Sequence, residues 1–146
     1  MKRILVINGP NLNLLGAREK AIYGEKTLEE IECKMKEIAE NLHLSLEFFQ
    51  TNYEGAIVEK IQHSSKFSGI IINPGAYAHT SIAILDAMRS VKIPVIEVHI
   101  SNIFSRESFR SNIITGRGAA GFIAGLGYKS YIAALYAMSL ILSEEK

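Results

Sequence analysis

The sequence predicts an α/β fold in which helices cover both faces of a parallel sheet, and three observations indicate it. Short apolar runs alternate along the chain with segments whose apolar residues recur at helical spacing. This alternation repeats five times without a linker or a low-complexity stretch. The 146 residues are close to the size of one ordinary domain, so we expect a single catalytic or binding domain over 1–146.

Five strands are expected, each a short apolar run bounded by Gly, Pro, Asn or Ser: 4–8, 45–50, 69–73, 94–99 and 121–124. The first long helix is the clearest, because Thr27 and Glu30 form a capping box before apolar residues at three-four spacing. Right-handed crossovers between five strands fit a flavodoxin-like three-layer sandwich with strand order 2-1-3-4-5. Ligands of such folds bind beyond the carboxyl ends of the strands, so we expect the functional residues in the turns at that edge.

The composition excludes several classes of function. Sixteen Lys and Arg against fifteen Asp and Glu leave a net charge of +1, too small to gather nucleic acid or an anionic membrane surface. The single cysteine, Cys33, cannot close an intrachain disulfide and favours a reducing, cytoplasmic setting. The longest apolar stretch, 131–142, is too short to span a bilayer, and the run at 4–7 is shorter than a signal-peptide core.

One sequence pattern suggests nucleotide binding but lies in the wrong place. The segment 116–121 has the spacing GxGxxG, yet it precedes the last strand and no acidic residue follows at the required distance. The chain contains neither a GxxxxGK[ST] phosphate loop nor a GxSxG nucleophile elbow. The sequence therefore disfavours a nucleotide site and a serine hydrolase.

Glu97 and His99 lie two residues apart on the fourth strand, so their side chains project from the same face at its carboxyl end. A carboxylate there can bind one imidazole nitrogen and hold the other toward a ligand, which favours an acid–base role. A chance pair on a solvated face is one alternative. A metal hydrolase built on this pair and His79 is another, and it predicts sensitivity to chelators.

Two further residues belong to the segment after the third strand. His79 lies where the next helix is expected to begin, and free amide donors at such a start suit an anionic or hydroxylated ligand. The alternative is that Thr80 or Ser81 only caps the helix. Asp86, further along the same helix, is by spacing alone a solvated residue.

The connection after the first strand is long, and glycines near both of its ends favour an active-site lid at about 16–25. A guanidinium at Arg18 beside the phenol of Tyr23 would stabilise a phenolate, which can act as a base if more than one cation supports it. Solvent-facing loop residues are the alternative.

Arg106 and Arg110 are expected to share one face of a helical turn near the same edge, either to meet an anionic substrate or as a solvated pair.

The motifs resemble those of type II 3-dehydroquinate dehydratase over nearly the whole chain. They are GPNLNLLG at 9–16, RE and YG within 18–24, QTNYEG at 50–55, INPGAYAHTS at 72–81, EVHISN at 97–102 and GFIAGLGYKSY at 121–131. The resemblance implies a flavodoxin-like lyase of the shikimate pathway that converts 3-dehydroquinate to 3-dehydroshikimate through an enolate. It also implies that no cofactor takes part. No metal is expected either, because the residues at this edge lack a metal cluster of the usual spacing.

The resemblance further implies a role for each matching residue. Tyr23 would remove the C2 proton, and Arg18 would stabilise its phenolate and the transition state. Asn11 and Asn73 would support the enolate, and His99, held by Glu97, would protonate the departing C1 hydroxyl. The positions expected to bind substrate are Asn73, His79, Asp86, Arg106, Arg110 and the backbone N–H groups of Ile100 and Ser101.

The family resemblance also predicts an assembly, a homododecamer built as four trimers, in which Asp86 completes the site of a neighbouring subunit. The rival interpretation is a non-enzymatic flavodoxin-like ligand-binding module. In such a module Tyr23, Arg18 and His99 would be dispensable and no turnover would occur.

Overall fold

The computed structural model describes residues 1–144 of the chain. The strands are β1 Lys2–Asn8, β2 Leu44–Gln50, β3 Gly69–Asn73, β4 Val95–His99 and β5 Gly121–Ala124. The helices are α1 Lys20–Tyr23, α2 Leu28–Asn41, α3 Glu54–Gln62, α4 Ile82–Ser90 and α5 Lys129–Glu144. Short 3-10 turns occupy much of the chain between the strands and helices at the carboxyl edge.

All five strands run parallel in the order β2-β1-β3-β4-β5, which confirms the predicted α/β flavodoxin-like architecture. β1 and β3 lie in the middle of the sheet, and Asn8 and Asn73 at their carboxyl ends are paired directly opposite each other. The carboxyl ends of β1, β3 and β4 therefore meet at one edge.

Three predicted strand starts were wrong by one or two residues. β1 begins at Lys2 rather than at residue 4, because its exposed first residues still pair with β2 through the backbone. β2 begins at Leu44, one residue before the predicted start, because Leu44 pairs with Lys2 of β1. β4 begins at Val95 because proline at 94 has no N–H to donate to a ladder. The predicted bounds of β3 and β5 are confirmed.

Two apolar clusters cover the two faces of the sheet. Alternate residues of β1 divide between them, with Ile4 and Val6 in one cluster and Leu5 and Ile7 in the other. Helices α2 and α5 pack on the first face, and α3 and α4 pack on the second. The site at the carboxyl edge therefore stands on a sheet that is buried from both sides.

The helix starts follow the expected capping chemistry. The capping box of Thr27 and Glu30 at the start of α2 is confirmed, since each residue binds the backbone N–H of the other. The Ser81 hydroxyl accepts from the Ile84 N–H at 2.9 Å, so Ser81 caps α4. Within residues 1–144, no helix has the length and apolar character needed to cross a membrane.

Candidate active site

A cavity of about 110 Å³ opens at the carboxyl edge of the sheet, between the turns that follow β1, β3 and β4. Ten of the twelve residues predicted for the site line it: Asn11, Arg18, Tyr23, Asn73, His79, His99, Ile100, Ser101, Arg106 and Arg110. Glu97 is fully buried beside His99. Asp86 is exposed on α4 and does not line this cavity.

The turns after β1 and β3 lie against each other because each has a glycine at the contact. The Gly9 N–H donates to the carbonyl oxygen of Asn73 at 2.8 Å. A Cβ atom at Gly9 would lie 2.5 Å from the Pro74 carbonyl oxygen, and one at Gly75, where φ is +61°, would lie 3.1 Å from the Pro10 carbonyl oxygen. Only glycine permits this approach, which brings the two turns to the same cavity.

Asn11 is held in a left-handed conformation, with φ of 69°. Its N–H donates to the Asn52 side-chain oxygen at 3.0 Å. The side chain of Gln50, at the end of β2, donates to the Gly9 carbonyl oxygen at 3.2 Å and so supports the same turn. The segment QTNYEG thus contributes to the site by holding the turn that carries Asn11.

The phenol oxygen of Tyr23 accepts hydrogen bonds from two guanidinium groups. Arg18 donates through Nη2 at 3.1 Å and Arg106 donates through Nη1 at 2.8 Å. The central carbons of these groups lie 4.2 Å and 5.1 Å from the centre of the Tyr23 ring. The phenol oxygen therefore accepts two hydrogen bonds from positively charged donors, and such bonds are stronger than those between neutral groups.

Arg106 supplies the second cation that the sequence argument required, although it was expected to meet substrate rather than Tyr23. Its Nε is buried and has no hydrogen-bond partner among the described residues, so this N–H group is available to donate to a ligand. The predicted helical face shared by Arg106 and Arg110 is wrong, because Arg106 follows one 3-10 turn and Arg110 lies in the next. Arg110 donates to Glu107 Oε2 at 2.6 Å instead.

Glu97 and His99 form the predicted pair. The imidazole Nε2 lies 2.7 Å from Glu97 Oε2, and because an ionised carboxylate can only accept, Nε2 carries a proton and Nδ1 remains for a ligand. Both side chains are buried, so the alternative of a solvated pair is wrong. The second oxygen of Glu97 accepts from the hydroxyl of Thr115, which is itself fully buried.

His79 faces His99 across the cavity, with 6.4 Å between the ring centres. Burial lowers the pKa of His79 below its ordinary value of 6.5, against the opposing effect of its hydrogen bond to Asn112. The neutral ring donates from Nδ1 to the Asn112 carbonyl oxygen at 3.1 Å. Nε2 is then left as a hydrogen-bond acceptor.

Sequence reasoning missed two buried hydroxyl groups that hold the site. Thr115 binds Glu97, and the Tyr131 hydroxyl bridges Asn8 and Asn73 at the ends of β1 and β3. Tyr131 is the last residue of the motif GFIAGLGYKSY, which could have indicated a role at the site. The apolar residues that follow it are typical of a core helix, so the sequence indicated packing instead. Over residues 1–144 there is no group of three His, Cys, Asp or Glu side chains that could hold a metal ion.

Comparisons with known proteins agree with this geometry. Residues 2–139 match the family described as dehydroquinase class II. A 3-dehydroquinate dehydratase from Clostridium botulinum strain Hall is 56% identical over 136 residues, which cover 92% of each chain. One from Endomicrobium trichonymphae is 55% identical over 139 residues, covering 94% of this chain and 97% of the relative.

A solved structure has the same fold. The type II dehydroquinase from Butyrivibrio crossotus DSM 2876 superposes with a TM-score of 0.92 at 48% identity, covering 94% of this chain and 97% of that one. Sequence and structure therefore agree over nearly the full length of this chain and of these relatives. The chain belongs to the class II dehydroquinase family.

Proposed function

We propose that this protein dehydrates 3-dehydroquinate to 3-dehydroshikimate in the cavity at the carboxyl edge, through an enolate intermediate. One observation carries the assignment: a phenol oxygen between two guanidinium groups and a buried Glu–His pair reach the same small cavity. The first suits a base and the second suits an acid. A base for the first step and an acid for the elimination of water are sufficient, so the proposed reaction needs no metal and no cofactor.

In the first step the phenolate of Tyr23 removes the C2 proton beside the ketone, and the ketone becomes an enolate. Arg18 and Arg106 hold that phenol oxygen in place. The amides of Asn11 and Asn73 support the enolate oxygen, in part through water. Donors fixed in advance at a developing negative charge lower the barrier because they need no reorganisation during the reaction.

In the second step protonated His99 gives a proton to the C1 hydroxyl, which departs as water, and the enolate collapses to the enone. Glu97 stabilises the imidazolium before this transfer, because its carboxylate is buried at hydrogen-bond distance. The transfer leaves His99 neutral, so before the next cycle His99 takes up a proton and Tyr23 releases the proton that it removed from C2.

The remaining residues bind the substrate. The backbone N–H groups of Ile100 and Ser101 hold its carboxylate, and the positive charges of Arg106 and Arg110 complement that anion. His79 accepts a hydrogen bond from a ring hydroxyl through Nε2. The segment 16–25 closes over the bound substrate as a lid of the single catalytic domain, with Tyr23 on it.

The proposal extends to assembly and location. Asp86 is exposed on α4 and does not line the cavity of its own chain, and we assign it to the site of a neighbouring subunit in a homododecamer of four trimers. Activity then depends on the trimer. The protein acts in the cytoplasm, in keeping with its single cysteine.

The test measures two reactions of the same substrate. Enone absorbance reports dehydration, and loss of deuterium from C2 reports enolate formation. Tyr23→Phe should lose both, by about a thousandfold, because it removes the base. His99→Ala should lose dehydration but keep part of the C2 exchange.

The matched control is Tyr136→Phe, since Tyr136 is half-exposed on α5 away from the cavity and should keep the wild-type rates. Near-wild-type dehydration by Tyr23→Phe would contradict the mechanism. An absence of turnover in the unaltered protein would favour a binding module instead.

A further inference from the structure

We infer that Tyr131 on α5 is a positioning residue for the reaction, because its buried hydroxyl fixes the amide of Asn73 with one N–H facing the cavity. The inference rests on the proposed function, in which Asn73 supports the enolate. Tyr131 itself does not line the cavity. Its hydroxyl reaches the reacting end only through Asn73.

The proton positions follow from the hydrogen bonds of the Tyr131 hydroxyl. Its oxygen lies 2.6 Å from Asn8 Oδ1 and 3.0 Å from Asn73 Nδ2. A hydroxyl has one proton, and an amide oxygen can only accept it. The proton therefore goes to Asn8, and a lone pair of the phenol oxygen receives an N–H of Asn73.

The other end of the Asn73 amide is fixed by the backbone. Asn73 Oδ1 accepts from the Gly75 N–H at 3.1 Å. A flipped amide would set its NH₂ group against that N–H and its oxygen against the Tyr131 lone pair, so both hydrogen bonds would be lost. Tyr131 and Gly75 together permit one orientation of the amide.

This orientation decides what Asn73 offers to a ligand. One of its two amide N–H groups is used by Tyr131 and its oxygen is used by Gly75, which leaves one N–H donor in a side chain that is 3% exposed and lines the cavity. The ligand atom that meets it must be an acceptor. A ketone oxygen that becomes an enolate oxygen satisfies this requirement with increasing strength.

Tyr131 is suited to hold a proton and not to transfer one. Its side chain is fully buried, and burial raises the pKa of Tyr131 above its ordinary value. The phenol therefore stays protonated at the pH values at which an enzyme works. Asn8 and Asn73 are paired across β1 and β3, so one hydroxyl from the helix layer serves both strand ends.

The test is Tyr131→Phe, which keeps the buried ring and removes only the hydroxyl. We expect kcat/KM for dehydration to fall about tenfold, mainly through kcat, because the freed amide turns away from its position in the transition state. Tyr136→Phe makes the same change on the same helix at a half-exposed position and should not alter the rates.

A double-mutant cycle separates positioning from a loss of packing. In the Asn73→Ala background, Tyr131→Phe should cost less than twofold, because the residue through which it acts is gone. Asn8→Ala removes the acceptor of the phenol proton without a direct change at Asn73. It should give a smaller loss that also vanishes in that background, and it serves if Tyr131→Phe fails to fold.

Additive losses in the cycle would overturn the inference, since they would show that Tyr131 acts independently of Asn73. Wild-type kcat in Tyr131→Phe, beside a large loss in Asn73→Ala, would overturn the inference and leave the proposed function intact. Full turnover in Asn73→Ala would overturn both the inference and the proposed role of Asn73.

Discussion

Thr115 satisfies the one oxygen of Glu97 that His99 does not use. The carboxylate is fully buried, so water cannot replace a missing hydrogen bond at that oxygen. Leaving a buried acceptor without a partner costs about 1–3 kcal/mol. The hydroxyl of Thr115 therefore holds the Glu97 carboxylate in line with His99, as the proposed acid role of His99 requires.

We expect Thr115→Val, which has nearly the same shape but no hydroxyl, to lower the free energy of unfolding by about 1–3 kcal/mol and to slow dehydration more than C2 exchange. Thr115→Ser restores the hydroxyl and should restore most of both. Denaturant unfolding and the two kinetic assays measure these effects.

The control is Ser64→Ala, which removes a buried hydroxyl bound only to the Ile61 carbonyl oxygen and should cost stability alone. Equal losses of dehydration and exchange in Thr115→Val would count against this role.

The sequence predicted contacts between residues that are close along the chain better than contacts between distant ones. Glu97 and His99 were predicted as a pair because a spacing of two on a strand fixes their common face. Arg106 meets Tyr23 across 83 residues of sequence, and Thr115 meets Glu97 across 18. No local period links such residues, so only the packed connection after β4 brings them together.

At the scale of elements, the contact between the turns after β1 and β3 sets the floor of the cavity. Gly9 packs against Pro74, and Gly75 packs against Pro10, so neither turn can move without the other. The existence of the strands, their order and the cap of α2 were predictable from apolar runs, crossover handedness and the Thr27–Glu30 box. Strand starts were less so, because the exposed Lys2 extends β1 by backbone pairing that leaves no apolar signal.

Gly9→Ala should separate these turns, because a Cβ atom 2.5 Å from a backbone oxygen has no flexible side chain to displace. We expect a loss of about 1–3 kcal/mol in the free energy of unfolding and a large loss of turnover. The control is Gly55→Ala on α3, where an added Cβ meets nothing within 4 Å. That change should be neutral or stabilise the helix by about 0.5–1 kcal/mol. Full activity in Gly9→Ala would show that the cavity tolerates separated turns.

At the scale of the whole molecule, the surface beside the cavity is apolar. Phe104 and Phe122 are exposed by 70% and 38%, and together with Ile113 they line a cleft of about 360 Å³. The Phe122 ring lies 5.4 Å from the ring of His99, so this surface borders the site. An apolar surface next to a site that lacks its predicted Asp86 fits the proposed trimer. No sequence period locates this surface, because Phe122 comes from β5 while Phe104 and Ile113 come from the irregular connection between β4 and β5.

A mixing experiment tests whether sites are shared between subunits. Tyr23→Phe and Asp86→Ala should each be inactive alone, and dissociation and reassembly of the two together should recover activity. In the mixture, some sites combine the intact Tyr23 of one chain with the intact Asp86 of another. A mixture of Tyr23→Phe with His99→Ala should recover nothing, because both changes fall in the same chain's half of the site. Light scattering should show a dodecamer, and a fully active monomer would contradict the assembly.

Asn8, Asn73 and His99 lie at the ends of three adjacent strands, so the sheet sets the lateral spacing between them. Neighbouring strands stand about 4.8 Å apart, a distance fixed by backbone hydrogen bonds and not by side chains. The lateral distance between the groups that these strands carry can therefore change only by whole strand spacings. Substitutions in the surrounding loops alter what covers the ligand, while the spacing between these strand ends stays constant for as long as the strand order does.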